Sequence, residues 1–203
     1  MKFLSMCKAV ALTALLSLVA APALAQSLST TFAANNADAG NTFDVTPTVN
    51  MTINSFDVHL GVLNGETGAG GGQEAVIAVY WRPGTSSGFE TNSNGWTLLG
   101  TANVVAQGTN IPTSVPVGGL SLTAGQTYGI YVDVQDFNQE ELELLYTNGG
   151  PSVFSNADLS LTTQYGLASP AFSSFYGYRQ WNGTVHYTKT QTCASEGYTG
   201  TKL

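Results

Sequence analysis

The acidic side chains of this sequence are densest over a short segment, and they are the first candidates for chemistry. The segment contributes five acids: Asp133, Asp136, Glu140, Glu141 and Glu143. Two carboxylates facing each other across a cleft can hydrolyse a glycosidic bond. Because Glu141 and Glu143 alternate with leucines, they share one strand face and would lie on the same side of a substrate. Alternation of acidic and apolar residues more commonly indicates a strand whose acidic face is exposed to solvent. A secreted glycoside hydrolase is therefore the least favoured function.

The same segment offers hard oxygen ligands of the kind that calcium prefers. The candidate ligands are Asp133, Asp136, Asn138 and Glu140. Their spacing lacks the order of an EF-hand loop, and a second oxygen-rich stretch runs from Asn35 to Asp44. The alternative is that these Asn and Asp side chains bond their own backbone in turns. No cofactor is predicted other than a possible calcium ion.

Aromatic side chains are the second group of candidates, because exposed rings stack on the apolar faces of sugars and also form protein interfaces. The rings predicted to bind a ligand are Trp96, Tyr176, Tyr178 and Trp181. The run from Phe175 to Tyr178 places aromatic side chains on both faces of any strand. The alternative is that the rings form the core and rim of the domain.

Other kinds of catalytic site have little support in the sequence. His59 and His186 are the only histidines, and no cysteine stands near either, which disfavours zinc. No Gly-x-Ser-x-Gly nucleophile elbow is present. We therefore expect a protein that is not an enzyme.

The elements that must position these side chains are predicted to be β-strands. From Leu120 to Asp136, apolar and polar residues alternate on either side of an Ala-Gly-Gln break, which is typical of two strands of a half-buried antiparallel sheet. We place the second of these strands centrally, and a phase shift at Asn54-Ser55 predicts a bulge. Four Asn-Gly pairs, at 64, 94, 148 and 182, predict tight hairpin turns. The pattern predicts an all-β, antiparallel two-sheet β-sandwich over residues 26–188, with the jelly roll as the preferred topology.

The two ends of the chain are predicted to lie outside this domain. Residues 1–25 combine early lysines, an apolar stretch and an Ala-Leu-Ala site, the features of a signal peptide. Residues 189–203 form a C-terminal tail that contains Cys193, interpreted as the start of a longer segment. We expect a secreted protein, extracellular or at the cell surface with the periplasm as an alternative, and no transmembrane segment in the mature chain.

Charge limits the partners of the mature domain. Without residues 1–25, 13 acidic residues face four basic ones, a formal net charge of -9. This balance disfavours nucleic acid, because a phosphate backbone needs basic groups to replace its counterions. The remaining partners are an extracellular polysaccharide or another surface protein.

Several stretches together resemble a bacterial exported domain that is often found ahead of a PEP-CTERM-type sorting tail. The matching stretches are Ile53–Leu60, Ala78–Gly84, Gly95–Gly100, Ala124–Val132, Phe154–Leu159 and Trp181–Tyr187. The resemblance covers about residues 29–188 and implies an all-β surface or matrix domain. It implies no catalytic residues, and the Pro-Glu-Pro motif of the sorting tail is absent from this sequence.

Two functions follow as the leading hypotheses. The first is a non-catalytic, exported β-sandwich that works at the cell surface or in the extracellular matrix. The second is a carbohydrate-binding module that uses exposed aromatic rings, which a row of exposed Trp and Tyr side chains would favour.

Overall fold

The computed structural model describes residues 25–135 and 142–190, and every helix or strand in these ranges is a β-strand. The strands of the first half are β1 (Ala25–Ser29), β2 (Asn36–Asp38), β3 (Gly40–Pro47), β4 (Met51–Val58), β5 (Leu60–Gly61), β6 (Glu74–Pro83), β7 (Thr97–Val105) and β8 (Thr113–Val115). Those of the second half are β9 (Leu120–Leu122), β10 (Tyr128–Gln135), β11 (Glu143–Asn148), β12 (Val153–Ser155), β13 (Leu159–Leu167), β14 (Phe175–Trp181) and β15 (Gly183–Lys189).

These strands form two sheets. The five-stranded sheet has the order β1-β15-β4-β8, and β9 also pairs with β4. The ten-stranded sheet has the order β2-β11-β14-β13-β3-β10-β6-β7, with β12 on β13 and β5 on β11. All pairs of named strands are antiparallel, so the predicted two-sheet β-sandwich is confirmed. The narrower expectation of a jelly roll stays a prediction.

Strand β10 is central, as its length and apolar character predicted. It pairs with β3 on one side and β6 on the other, in the middle of the long run of the ten-stranded sheet. Ile130, Val132 and Val134 lie in the hydrophobic core between the sheets. Because side chains alternate along a strand, Tyr131 and Asp133 are carried to the opposite face.

Trp181 lies in the core, at the end of β14. Its side chain is fully buried, its ring stacks on Phe43 at a centroid distance of 4.2 Å, and Phe56 meets it edge-on at 6.4 Å. The prediction that Trp181 belongs to an exposed ligand-binding surface is therefore wrong. Alternation on β14 alone could not reveal this, because the partner rings come from distant strands.

The phase shift in β4 is a β-bulge, as predicted. His186 pairs with Ser55 and the next residue, Tyr187, pairs with Ile53, so Asn54 is the extra residue. The Asn54 side chain turns outward and donates a hydrogen bond to Thr188 Oγ1 over 2.6 Å. The bulge allows one strand to remain in register with β15 on both sides of the interruption.

The Asn-Gly pair at position 182 does not form the hairpin turn that was predicted. Asn182 joins β14 of the ten-stranded sheet directly to β15 of the five-stranded sheet, and it is fully buried. A side chain at Gly183 would stand 2.2 Å from the Trp181 ring and 2.5 Å from the Asp57 carbonyl oxygen. Glycine is required here by a close approach at the crossing between sheets, and not by a turn.

The ends of the chain are described only in part. Residues 1–24, which hold most of the predicted signal peptide, and residues 191–203, which include Cys193, lie outside the described ranges. Ala25 opens β1 and pairs with Thr188 of β15. In the described ranges, no helix is long and apolar enough to cross a membrane.

Candidate functional site

The outer face of the ten-stranded sheet carries a cross-strand tyrosine pair at its centre. Tyr131 of β10 pairs with Tyr80 of β6, and their rings stack with centroids 5.6 Å apart. Tyr131 is buried although it points away from the core, because other rings cover it. A side chain at Gly40 of β3 would stand 2.6 Å from the Tyr131 ring, so glycine leaves the space that this ring occupies.

Phe172 and Trp96 cover this pair and complete a four-ring cluster, defined as Tyr80, Trp96, Tyr131 and Phe172. The Phe172 ring meets Tyr131 at 5.2 Å and Tyr80 at 5.3 Å, both edge-on. The Trp96 ring lies 6.1 Å from both Tyr131 and Phe172. Such edge-to-face and offset contacts are favourable for aromatic rings. The cluster therefore holds two connecting segments, 84–96 and 168–174, against the outer face of the sheet.

A buried acid lies beside the four-ring cluster. Asp133 Oδ1 accepts a hydrogen bond of 2.8 Å from the Tyr131 hydroxyl, and Oδ2 accepts one from Gln135 Nε2. Desolvation raises the pKa of Asp133 from 3.8 to about 6, although these two donors act in the opposite direction. The same burial, together with the negative charge of Asp133, raises the pKa of Tyr131.

The loop 84–96 is tied to the sheet by a second buried acid. Asp44 of β3 accepts hydrogen bonds from Thr85 Oγ1 at 2.5 Å, from the Ser86 amide at 2.7 Å and from Gln164 Nε2 at 3.1 Å. Farther along the loop, the Trp96 indole donates to the Phe89 carbonyl oxygen over 3.0 Å. These contacts fix a long connection between neighbouring strands, which would otherwise be among the more mobile parts of a β-protein.

A second group of rings is exposed along β14. We call Tyr165, Phe175, Tyr176 and Tyr178 the ring patch. The exposed fractions are 47% for Phe175, 41% for Tyr176 and 39% for Tyr178. Tyr165 of β13 stacks on Tyr178 at 4.8 Å and meets Phe175 edge-on at 5.2 Å. Tyr165, Phe175 and Tyr178 are thus held by neighbouring strands and by each other, while Tyr176 adjoins them as the residue that follows Phe175 on β14.

Acidic side chains border the ring patch. A hydrogen bond to Asp38 raises the pKa of Tyr176, so the Asp38 carboxylate lies at one side. The hydrogen bond with Tyr165 is the main cause that raises the pKa of Tyr178, and the negative charge of Glu90 in the loop 84–96 adds to it. Arg179, the next residue along β14, turns its guanidinium towards the Tyr146 ring at 5.8 Å. Both acids are themselves largely buried, with 6% of Asp38 and 5% of Glu90 exposed.

The structure distributes the predicted ligand-binding rings among three places. Tyr176 and Tyr178 belong to the ring patch, Trp96 belongs to the four-ring cluster, and Trp181 lies in the core. Sequence reasoning missed Tyr165, because the register that brings it opposite Tyr178 is a non-local property of two paired strands. The strand pattern alone carried no indication of that register.

The calcium prediction is addressed only in part. Asp136, Asn138 and Glu140 lie outside the described residues, and Asp133 uses its carboxylate oxygens to accept bonds from Tyr131 and Gln135. In the second oxygen-rich stretch, side chains bond protein groups: Asn35 Oδ1 accepts from the Asn148 amide at 2.8 Å. Among the described residues, no group of three or more His, Cys, Asp or Glu could hold a metal ion. Calcium binding therefore stays a prediction.

Comparison with known proteins adds a limited structural likeness. No family model matches the sequence, and no curated protein matches it. Among solved structures, the chain is similar to the crystal structure of the cysteine protease and lectin-like domains of Cwp84, a surface-layer-associated protein of Clostridium difficile. The TM-score is 0.46 and the sequence identity 14%, and the match covers 82% of this chain. It spans 36% of the Cwp84 chain, little more than a third of its length.

Proposed function

We propose that this protein is an exported, non-catalytic β-sandwich that binds a neutral polysaccharide outside the cell, and that the ring patch is its binding surface. The observation that carries the proposal is the exposure of Phe175, Tyr176 and Tyr178 within four residues of one strand. Large apolar side chains on a protein surface mark interaction sites when they are contiguous. Here they are aromatic, and aromatic faces suit the C–H faces of sugar rings.

The arrangement of the rings supports a preformed binding surface. Tyr178 is stacked on Tyr165, and Phe175 packs against the edge of the same tyrosine. Side chains held in this way lose little conformational freedom when a ligand binds, which favours affinity. Because Tyr165, Tyr176 and Tyr178 carry hydroxyls, the patch combines apolar faces with groups that can bond sugar hydroxyls.

Charge favours a neutral ligand over an anionic one. Asp38 and Glu90 act on Tyr176 and Tyr178 of the patch, and the mature domain has a formal net charge of -9. An anionic polysaccharide or a phosphate backbone would meet repulsion at this surface. Neutral hexose polymers, which offer C–H faces and hydroxyls without charge, are the ligand class that fits.

Binding is better supported than hydrolysis. A glycosidase needs two carboxyl groups facing a sugar from opposite sides, roughly 5–10 Å apart. Two members of the predicted acidic group are described: Asp133 is buried and bonded to Tyr131 and Gln135, and Glu143 accepts a hydrogen bond of 3.3 Å from the Leu63 amide. We expect no release of reducing sugar when the protein is incubated with the polysaccharide that it binds.

A glycan array followed by calorimetry tests the proposal. We expect binding to at least one neutral glycan and a loss of affinity of about tenfold or more, or about 1.4 kcal/mol, for both Phe175→Ala and Tyr178→Ala. Val153→Ala is the matched control, because Val153 is an exposed apolar residue on β12, outside the patch. Absence of glycan binding, or binding that both ring variants retain in full, would refute the proposal.

A further inference from the structure

Strand β7 is an edge of the ten-stranded sheet, and over residues 101–105 it carries neither a charge, a proline nor a bulge to protect it from pairing. In the described part of the chain, β6 is its only strand partner. Its nine residues include no charged residue and no proline. Leu98 and Val105 are 51% and 50% exposed. A long, uncharged edge strand is a template for pairing with a further strand.

The hydrogen bonds just beyond β7 show which of its backbone groups face outward. The Ala106 amide donates to the Gln73 carbonyl, and the Ala106 carbonyl accepts from the Gly72 amide, both over 2.8 Å. Both backbone groups of Ala106 therefore point towards the chain that leads into β6. The N–H and C=O groups of a strand residue point to one side and alternate from residue to residue. Val104 and Ala102 then also face β6.

The outward-facing residues are consequently Thr101, Asn103 and Val105. The Val105 carbonyl confirms this direction, since it accepts a hydrogen bond of 3.0 Å from the Gln107 side chain instead of a ladder bond. The side chains of all three residues are exposed. At the other end of the strand, Leu99 is a bulged residue, because Tyr80 pairs with Leu98 and Val79 with Gly100. The regular outward-facing segment thus runs over residues 101–105.

We propose that this segment pairs with the same segment of a second copy of the chain, giving a dimer in which the two ten-stranded sheets are continuous. In the antiparallel register centred on Asn103, each Asn103 lies opposite Asn103 of the second copy. Thr101 then lies opposite Val105 of the second copy, and Val105 opposite its Thr101. Opposed residues whose backbone groups face each other exchange both hydrogen bonds. The register therefore satisfies the outward-facing groups of all three residues.

The charge distribution permits a second copy to approach at this edge. The chain has 13 acidic and six basic residues, so most approaches of two copies bring like charges together. The β7 strand carries no charge, and it permits contact without that repulsion. The opposed side chains are compatible as well, because Thr and Val are both β-branched residues that suit strands. The twofold axis lies at Asn103, where two uncharged amides meet.

Sedimentation equilibrium of the full chain over about a hundredfold range of concentration measures the association through mass action. We expect a reversible dimer whose dissociation constant rises about tenfold or more in Asn103→Lys, because two lysines then lie opposite each other. Ser121→Lys is the matched control, with the same new charge at an exposed strand position of the other sheet, and it should dimerise as the parent does. A monomeric parent at every concentration, or an unchanged dimer in Asn103→Lys, would overturn the proposal.

Amide hydrogen exchange tests the same interface in a way that does not depend on the Asn103→Lys substitution. In the unmodified protein, the amides of Thr101, Asn103 and Val105 should exchange more slowly as the dimer fraction rises, while those of Ala102 and Val104 stay protected throughout. Asn103→Pro removes an outward amide but no bond to β6, so it should weaken the dimer and leave the β6 amides protected. Dimer formation with no change in exchange at these three amides would place the interface elsewhere and refute the proposal.

Discussion

The Tyr131 hydroxyl donates a hydrogen bond of 2.8 Å to Asp133 Oδ1, two residues farther along the same outward face of β10. Asp133 is 2% exposed, so its carboxylate is held almost entirely by protein groups. The burial that strengthens this bond also destabilises the ionised carboxylate, and it raises the pKa of Asp133 to about 6. The bond links the four-ring cluster to a group that titrates close to neutral pH.

The first prediction concerns the pH dependence of stability. The pKa of Asp133 is higher in the folded protein than its ordinary value of 3.8, so folding is favoured by the protonated form. The contribution of Asp133 to the free energy of unfolding is therefore greatest below about pH 4, and it is lost as the pH rises through about 6. The difference of about 2 in pKa corresponds to about 3 kcal/mol. Asp133→Asn should therefore be up to that much more stable than the parent at pH 7, with no such gain at pH 4.

Denaturant unfolding of both proteins at pH 4 and pH 7 measures this difference. Asparagine keeps an oxygen that can accept the hydrogen bond from the Tyr131 hydroxyl. Glu66→Gln is the control, because it neutralises an acid that is exposed to solvent. If the free energy of unfolding changes between pH 4 and pH 7 by the same amount in Asp133→Asn as in the parent, the buried charge does not destabilise the fold.

The second prediction concerns the core tryptophan. Trp181→Ala should cost about 3–5 kcal/mol, because it removes a large, fully buried side chain that stacks on Phe43 and meets Phe56. Trp181→Phe should cost much less, since a ring remains to stack and the buried indole N–H has no hydrogen-bond partner to lose. Chemical unfolding of the two variants measures the difference. Equal costs would mean that the indole makes a specific contribution beyond its volume.

Period-2 alternation was enough to predict the longer strands, such as β10, and the two-sheet architecture, because it reflects a local choice between core and solvent at every residue. The bulge at Asn54 was predictable for the same reason: an extra residue reverses the phase of the alternation. The place of Trp181 was not predictable, because its stacking partner Phe43 is supplied by β3, which the sequence does not identify as a neighbour. The hairpin turn predicted at Asn182-Gly183 was wrong, because a dipeptide that suits a hairpin also suits a crowded crossing between sheets.

The candidate site was harder to predict than the fold. The exposed rings of β14 could be named from their density, but Tyr165 joins them only through the register of β13 with β14. Asp133 was noticed as a potential calcium ligand, whereas its hydrogen bond to Tyr131 depends on coverage by Phe172 and Trp96 from distant loops. A sequence pattern places a side chain on a face, and tertiary contacts decide whether that face is covered.

The third prediction tests the crossing between the two sheets. Gly183→Ala would place a methyl group against the Trp181 ring and the Asp57 carbonyl oxygen, at distances that neither can relieve without backbone movement. We expect the free energy of unfolding to fall by about 1–3 kcal/mol, the usual cost of overpacking. Gly177→Ala on β14 is the matched control, because its nearest neighbour would be an Arg179 nitrogen at 3.6 Å. Similar melting temperatures for the two variants would contradict the close approach.

The last prediction decides whether Trp96 contacts the ligand or supports the ring patch. Trp96 packs on Tyr131 and Phe172, and its indole donates to the Phe89 carbonyl oxygen, so it holds the loop 84–96 against the sheet. Trp96→Ala should therefore lower the free energy of unfolding by more than Tyr178→Ala does, because Tyr178 is more exposed than Trp96. Trp96→Phe should lose about 1 kcal/mol, the typical contribution of one hydrogen bond.

The same variants separate binding from stability when affinity is measured well below their melting temperatures. If the ring patch is the binding surface, Tyr178→Ala should weaken glycan binding about tenfold or more, whereas Trp96→Phe should bind as the parent does. Trp96→Ala should have an intermediate effect, because release of the loop displaces Glu90 from the side of Tyr178. A loss of affinity in Trp96→Ala equal to that in Tyr178→Ala, with the fold intact, would instead make the Trp96 ring a direct ligand contact and extend the binding surface to the four-ring cluster.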